Sequence, residues 1–240
     1  MKKVYEEIYD EIIKHENKKT TETNKKYYKN KGWRSFGIKA PVLGKLLKAY
    51  KAEIDMLSCK EAMRLAKILY KNEMEETTLA GNFVLKIKSD CINKTKFNFL
   101  DNAINHFTSW SQTDDFCLGV LQPLLLKSPD KCLKIIKKWN NTTNMWKRRA
   151  SVVVFTRKIG ESGKFTKEAL ELCENLIWDK ENLVQKGVGW CLKDAIVGNR
   201  KKVYEYIKNL RKRGVNSMII LYAIRNLKSA ERKEILRFHK

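Results

Sequence analysis

The stretches 146-WKRRASVVVF-155 and 183-LVQKGVGWCL-192 align their apolar positions when they are placed 37 residues apart. Asp114 precedes Arg149 by 35 residues, and Thr77 precedes Asp114 by another 37. In this alignment both residues therefore occupy the position of Arg149 in earlier repeats. A period of about 37 residues with two helices in each unit is typical of HEAT-type α-solenoids. The sequence therefore predicts an all-α fold, a HEAT-like solenoid of stacked antiparallel helix pairs.

The rest of the chain carries the same helical signal, because apolar residues recur at three- and four-residue spacings throughout. Only 3 Pro and 11 Gly occur among 240 residues, which disfavours sandwiches, barrels and Rossmann folds, since these need many turns. No segment is long or polar enough to be an interdomain linker, so we expect one domain over residues 1–240. The predicted helices lie near 3–16, 22–31, 39–53, 59–71, 74–88, 95–106, 111–126, 129–140, 145–160, 165–178, 181–197, 200–213, 215–227 and 229–238.

The chain is strongly basic, with 50 Lys and Arg against 27 Asp and Glu and a formal net charge of +23. A hydrophobic fraction of 43% is enough for a core, so this charge belongs to a folded protein. The repeat frame gives Asp114, Arg149 and Lys186 equivalent positions in successive repeats, where they would face one basic concave groove. The cations around them are Lys147, Arg148, Arg157, Lys158 and Lys193. Such a groove suits a polyanion, and duplex nucleic acid is the first candidate.

Several classes of protein are disfavoured. No apolar run approaches the roughly 18 residues of a membrane span. The first twenty residues lack the apolar stretch of a signal peptide, so we expect the protein to begin near Met1 and to stay in the cytosol. The six cysteines are dispersed singly, without metal-ligand spacing, which predicts plain buried thiols in a reducing compartment and neither a zinc site nor an iron-sulfur cluster.

Aromatic, acidic and basic residues recur in a fixed order, while Walker, GxSxG, HExxH and Gly-rich dinucleotide signatures are absent. The elements in order are Tyr27 with Tyr28, the turn Phe36-Gly37-Ile38 with Pro41, Trp110-x3-Asp114, Trp146-x2-Arg149-Ala150, and Gln185-Lys186-x2-Gly189-Trp190. Together they resemble the AlkD-like DNA alkylpurine glycosylases, and the resemblance covers the chain from about residue 20 to 215.

The resemblance implies a role for each matching residue. Asp114 would be the catalytic carboxylate, and Trp110 and Trp190 the paired indoles of the active site. Arg149 would be the active-site arginine, and Tyr27 the DNA-contacting tyrosine. The expected DNA-binding set consists of Tyr27 and of basic residues from the repeat frame. These basic residues are Lys147, Arg148, Lys186 and Lys193.

One position departs from the family's pattern. Gly44 stands where many relatives place an arginine, three residues after Pro41. The departure concerns one contact to the DNA backbone and leaves the chemistry unaffected.

The resemblance also implies a reaction, the excision of positively charged N3- and N7-alkylated purines from duplex DNA without extrusion of the base into a pocket. An alkylated cationic base is already a good leaving group, so no general acid is required. An ionised Asp114 can stabilise the positive charge that grows on the deoxyribose. We expect no cofactor and no metal, no membrane partner, a monomer, and a cytoplasmic protein that is nucleoid-associated through DNA binding.

Other interpretations stay open at this point. Tryptophans on helices are usually core residues, and an aspartate near a helix start is usually a cap or a surface charge. Asp115 is a rival to Asp114, and Arg149 could pair with a carboxylate within the repeat stack. At the level of the whole protein, the alternatives are a non-catalytic binder of bent or branched DNA and a protein-interaction solenoid whose groove takes an acidic peptide.

Overall fold

The structure is a computed structural model that describes residues 1–28, 32–92 and 97–238. Within these ranges every regular element is a helix and no β-strand occurs, which confirms the all-α prediction. The predicted helices 22–31 and 95–106 lie partly outside the described residues. The chain forms two compact units, Met1–Cys132 and Leu133–Lys240, each described here by itself.

The first unit is built mainly on helices that pack against their near neighbours in sequence. Its helices are α1 (Lys2–Lys14), α2 (Lys18–Tyr28), α3 (Ala40–Ala49), α4 (Lys51–Met56), α5 (Cys59–Lys71), α6 (Glu75–Ile87), α7 (Phe97–Ala103), α8 (Trp110–Phe116) and α9 (Gln122–Lys127). Helix α6 packs against α5 on one side and against α8 on another. The core contains Ile8, Ile12, Leu65, Leu69 and Leu85, all without solvent exposure.

The second unit is organised around one long helix. After α10 (Pro129–Asn140), within which the boundary falls, its helices are α11 (Met145–Val153), α12 (Lys158–Glu161), α13 (Thr166–Glu174), α14 (Asn182–Gly198), α15 (Arg200–Lys212), α16 (Ser217–Ala223) and α17 (Ser229–Arg237). Helix α14 contacts α11, α12, α13, α15 and α16. Gly189 permits the close approach of α16, since a Cβ there would lie 2.7 Å from the side chain of Tyr222.

The helices agree with the repeat frame derived from the sequence. Asp114, Arg149 and Lys186 are each the fifth residue of their own helix, in α8, α11 and α14. Nearest-neighbour packing of helices within each unit is the arrangement of an α-solenoid.

Two long predicted helices are interrupted. The helix predicted over 111–126 contains a π-helical turn at Cys117–Leu121, which ends two residues before Pro123. Proline lacks the N–H of an interior helical residue, so a regular α-helix could not continue there undisturbed. The helix predicted over 145–160 ends at Val153, and Arg157 adopts a positive φ of 50° before α12 begins.

The prediction of six plain buried thiols was wrong for two of them. Cys59 and Cys91 form a disulfide with a Cα–Cα distance of 5.3 Å, which links the start of α5 to the 3-10 turn Ser89–Ile92. Their separation of 32 residues gave no hint of this proximity. Cys117, Cys132, Cys173 and Cys191 are buried and lie outside any disulfide, as expected.

The described residues offer neither a membrane span nor a cluster of metal ligands. None of their helices is both long enough and apolar enough to span a membrane. They also hold no group of three or more His, Cys, Asp or Glu side chains placed to bind a metal ion.

Candidate active site and nucleic-acid interface

Trp110 and Asp114 lie one turn apart at the start of α8, so the two side chains share a face of the helix. A capping box fixes this start. Ser109 Oγ accepts a hydrogen bond from the Gln112 amide at 3.1 Å, and Gln112 Oε1 accepts one from the Ser109 amide at 3.2 Å. Asp114 as a whole residue is only 8% exposed to solvent. The sequence thus positions a largely desolvated carboxylate beside an indole.

The neighbouring aspartate has a different environment. Asp115 Oδ2 accepts a hydrogen bond from Asn82 Nδ2 at 3.0 Å, and Asn82 Oδ1 accepts one from the Tyr70 hydroxyl at 3.0 Å. Asn82 lies on α6 and is buried, so Asp115 helps to join α8 to α6. This structural contact separates Asp115 in role from Asp114.

Aromatic rings gather around Trp110 in the first unit. Tyr28 stacks on Trp33, with ring centroids 4.5 Å apart and an interplanar angle of 12°, and on Trp110, at 5.6 Å and 18°. Tyr27 meets Trp110 edge-on at 6.2 Å, and it is 70% exposed. Rings that are stacked or edge-on at these distances form one packed aromatic cluster.

Glu75 lies beneath these rings, on the first turn of α6. Its Oε2 accepts hydrogen bonds from Trp33 Nε1 at 3.0 Å and from Ser109 Oγ at 2.7 Å, so one carboxylate ties the indole to the cap of α8. Burial raises the pKa of Glu75, and the hydrogen bonds from Ser109, Ser111 and Trp33 only partly oppose this. Burial, together with the charge of Glu75, also raises the pKa of Tyr28 to about 12.

The adjacent carboxylate, Glu76, organises the turn that the sequence motif marks. Its oxygens accept hydrogen bonds from Ser35 Oγ at 2.7 Å and from the amides of Phe36 and Ile38 at 2.9 and 3.0 Å. Gly37 has a φ of +79°, and a Cβ there would collide with the backbone of Asn17. The Phe36-Gly37-Ile38 element is thus a structural turn that holds the segment before α3 against α6.

In the second unit, α11 carries the arginine of the motif. Asn144 caps this helix, accepting hydrogen bonds from the amides of Trp146 and Lys147 at 2.9 and 3.3 Å. Arg149 is 5% exposed and donates from Nη1 to the carbonyl of Leu183, at the start of α14. Lys147 is buried as well.

Arg148 is held by a carboxylate. Its Nε and Nη2 donate to the two oxygens of Asp179 at 2.6 and 3.3 Å, in a bidentate pair, and both side chains are largely buried. Its Nη1 donates to the carbonyls of Thr142 and Thr143 at 3.0 and 2.8 Å. The guanidinium therefore anchors the turn before α11, and its predicted contact with DNA stays a prediction.

Trp190 is half-buried on α14, and a cation covers its ring. The guanidinium carbon of Arg157 lies 5.5 Å from the indole centroid. Asp194 Oδ2 accepts a hydrogen bond from the Arg157 amide at 2.6 Å, and Asp194 Oδ1 pairs with Lys193 Nζ at 2.9 Å. Asp194 thus holds the left-handed backbone of Arg157 in place, while Lys186 on the same helix is exposed.

Comparison with known proteins gives these features a family. Residues 8–227 match the family described as DNA alkylation repair enzyme. The chain belongs to the DNA alkylation repair enzyme family. This membership supports a role in DNA repair, with DNA as the partner, and it bears out the resemblance seen in the motif.

A solved structure shares the family's fold. It is titled a predicted DNA alkylation repair enzyme from Enterococcus faecalis, and it superposes on this chain with a TM-score of 0.76. The superposition covers 90% of this chain and 98% of that chain, at 14% sequence identity, so the likeness concerns the fold. No curated protein sequence is significantly similar to this chain.

Within this member of the family, the predicted site residues divide between the two units. Tyr27, Trp110 and Asp114 lie close together in the first unit. The second unit holds the others, which are Lys147, Arg148, Arg149, Lys186, Trp190 and Lys193. Each of these roles stays a prediction.

The sequence interpretation missed the partners of these residues. Trp33 and Glu75 carry no motif of their own, and Asp179 and Asp194 look like ordinary surface charges. Of these four residues, only Glu75 could have been singled out from the sequence, because Glu75 and Glu76 are adjacent carboxylates at the start of a predicted helix.

Proposed function

We propose that this protein is a DNA glycosylase that hydrolyses the N-glycosidic bond of purines alkylated at N3 or N7 in duplex DNA. The observation that supports the proposal best is the placement of Asp114, a largely desolvated carboxylate one helical turn from Trp110, in a chain of the DNA alkylation repair enzyme family. The exposed ring of Tyr27 beside Trp110 offers a surface for DNA in the same unit.

The residue types fit the charge that develops in this reaction. As the bond from the sugar to the alkylated base breaks, the bonding electrons leave with the base and neutralise its positive charge. Positive charge then grows on the deoxyribose, where an ionised Asp114 stabilises it and orients the attacking water. Water adds to the sugar carbon and loses a proton, so no general acid, cofactor or metal enters the proposed scheme.

Aromatic and basic residues take the remaining roles in the proposal. The face of Trp110 attracts the cationic base, and Trp190 of the second unit has the same affinity for a cation, as its contact with Arg157 illustrates. We assign Arg149 to a phosphate near the lesion, and we propose that the base is not extruded into a pocket. Tyr27, Lys147, Arg148, Lys186 and Lys193 are the proposed contacts to the DNA backbone.

The test is a base-release assay on methylated duplex DNA, with unmethylated duplex as the control. We expect free 3-methyladenine and 7-methylguanine in solution, and strand breaks only after alkaline treatment, since no lysine nucleophile is assigned. Binding of the duplex without release of either base would contradict the proposal and favour a non-catalytic DNA binder. Failure to bind DNA at moderate salt would favour a protein-interaction role.

A further inference from the structure

The disulfide between Cys59 and Cys91 lies at the surface of the first unit. Cys59 is exposed at the first residue of α5, and Cys91 is half-buried in the 3-10 turn Ser89–Ile92. The other four cysteines are buried. An exposed disulfide is open to attack by a thiolate, and exposed disulfides are typically the labile ones. The folded protein therefore presents one cysteine pair that a small thiol can reach.

This bond closes a ring in the chain around two helices that support the candidate site. The ring runs from Cys59 to Cys91 and contains the whole of α5 and α6, which pack against each other. Within it, Glu75 accepts hydrogen bonds from Trp33 and Ser109 and so links α6 to the start of α8. A disulfide stabilises a fold mainly by restricting the unfolded chain. The redox state of this pair therefore affects the stability of the first unit.

The contacts around the 3-10 turn indicate what remains when the bond opens. Asp90 pairs with Lys127 at 2.5 Å, but both side chains are more than half exposed, and an exposed ion pair contributes little. Lys88, directly before the turn, donates from Nζ to the carbonyl of Asp55 at 2.7 Å. Ile92 at the end of the turn is fully buried. We therefore expect reduction to loosen the turn while the burial of Ile92 keeps the unit folded.

Cys59 is better placed than Cys91 to react with a small thiol, because it is the more exposed of the two. It also stands at the N-terminal end of a 13-residue helix, directly before Lys60, and both features favour the reactive thiolate. The carboxylate of Glu61 is directed to the helix cap, where it accepts hydrogen bonds from the amide and the hydroxyl of Ser58 at 3.0 and 2.6 Å. Cys59 is thus the sulfur to carry an adduct, and Cys91 the sulfur to resolve it.

We propose that Cys59 and Cys91 form a reversible exchange site for small monothiols of the glutathione class. A small thiolate attacks Sγ of Cys59, the protein disulfide breaks, and Cys91 leaves as a thiolate that takes a proton from water. A second small thiolate attacks the small-molecule sulfur of the mixed disulfide and releases Cys59 as a thiolate. Two electrons pass to the protein, and the two small thiols leave joined as their own disulfide. The proposal is independent of the proposed function, since it needs neither DNA nor cleavage of a glycosidic bond.

The test is thiol trapping on the full chain. The protein is treated with oxidised glutathione, freed of it, and incubated with millimolar reduced glutathione, and a maleimide then labels the accessible thiols for peptide mass spectrometry. We expect label on Cys59 and Cys91 only after the incubation, while the four buried cysteines need a denaturant to react. A disulfide that does not form, that opens only in denaturant, or that opens together with labelling of all six cysteines would overturn the proposal.

Two matched variants identify the sulfur that carries the adduct. Cys91→Ala retains only Cys59 of the pair, and Cys59→Ala retains only Cys91. With oxidised glutathione, we expect the adduct on Cys59 to form at least about tenfold faster than the adduct on Cys91. Equal rates, or the reverse order, would contradict the assignment of Cys59.

Thermal denaturation of the oxidised and the reduced wild type measures the effect on the fold. The two cysteines are 32 residues apart, and we expect reduction to lower Tm by at least about 5 °C. The double variant Cys59→Ala/Cys91→Ala is the control, and its Tm should be the same with and without the reductant. Equal Tm values for the two wild-type forms would show that the exchange does not affect the fold. Because DNA is absent from these measurements, their result is independent of the base-release assay.

Discussion

The two units handle charge in different ways. In the first unit, aromatic rings and buried carboxylates gather around Trp110, and the carboxylate of Glu75 accepts hydrogen bonds from the neutral side chains of Trp33 and Ser109. In the second unit, cations of the predicted DNA-binding set already have carboxylate partners, as in the pairs Arg148–Asp179 and Lys193–Asp194. The net charge of +23 therefore overstates how many cationic side chains are available to DNA, because some of them are already paired with carboxylates. The first unit is the better candidate for chemistry, and parts of the basic second unit serve its own fold.

The largest effect that tests this comparison is expected for Arg148→Ala. The substitution leaves the buried carboxylate of Asp179 without its bidentate partner, and breaking such a pair costs about 3–5 kcal/mol. We expect a loss of that size in the free energy of unfolding, measured by urea denaturation. Arg213→Ala is the matched control, because Arg213 pairs with Glu174 at the surface, where about 0–1 kcal/mol is expected. Equal losses would refute the distinction.

Glu75→Gln is expected to raise the free energy of unfolding, by less than Arg148→Ala lowers it. Because burial raises the pKa of Glu75, the native state holds a proton that the unfolded state has already released, and stability falls as pH rises between the two pKa values. The glutamine variant lacks this fall. We expect it to be more stable than the wild type near neutral pH by on the order of 1 kcal/mol, the scale of an ordinary substitution. Thermal denaturation at about pH 4 should show a smaller difference, and a constant difference would contradict the explanation.

Gly44→Arg introduces the arginine that the resemblance to the family implies three residues after Pro41, and it should change both the stability and the DNA binding of the protein. A Cβ at Gly44 meets nothing within 4 Å, so a side chain can leave the backbone here without a clash at Cβ. Replacement of glycine within α3 should raise the free energy of unfolding by about 0.5–1 kcal/mol. If the arginine reaches a phosphate, the log–log salt slope of DNA binding becomes steeper by about 0.9. Gly44→Ala separates the two effects, because it should stabilise the helix without changing the slope.

The smallest effect on folding is expected for Lys186→Ala. Lys186 is exposed on α14, so we expect a change in stability within about 0.5 kcal/mol. If Lys186 contacts one phosphate, the slope of the logarithm of the DNA-binding constant against the logarithm of the salt concentration should become shallower by about 0.9 in this variant. Lys201→Ala, at another exposed lysine of the same unit, serves as the control. An unchanged slope for Lys186→Ala would remove this residue from the DNA-binding set.

Much of the fold was predictable from periodicity alone. The helices 59–71 and 129–140 begin and end where the sequence predicts, because Ser58 and Ser128 stand directly before them and polar residues end their apolar stripes. The interruptions were harder to predict. The positive φ of Arg157 depends on a hydrogen bond to Asp194, which lies 37 residues later in the chain. The π-helical turn at Cys117–Leu121 does not interrupt the apolar periodicity of the sequence, so the sequence looks like one continuous helix there.

The candidate site was predictable only in its motif residues. Trp110, Asp114, Arg149 and Trp190 follow from the order and spacing of the motif, but pairing between distant residues leaves no trace in a single sequence. The contact of Arg148 with Asp179 spans 31 residues, and that of Trp33 with Glu75 spans 42. For the same reason the disulfide between Cys59 and Cys91 was missed.

The most direct test of the proposed glycosylase is the single-turnover rate of 7-methylguanine release by the wild type, Asp114→Asn and Asp115→Asn. We predict that Asp114→Asn lowers the rate by about 10²–10³-fold, the cost of removing one preorganised stabiliser of the transition state. Asp115→Asn should stay close to the wild-type rate, because the side-chain amide that it introduces keeps a carbonyl acceptor for Asn82. A wild-type rate in Asp114→Asn, or an equal loss in both variants, would contradict the assignment of Asp114.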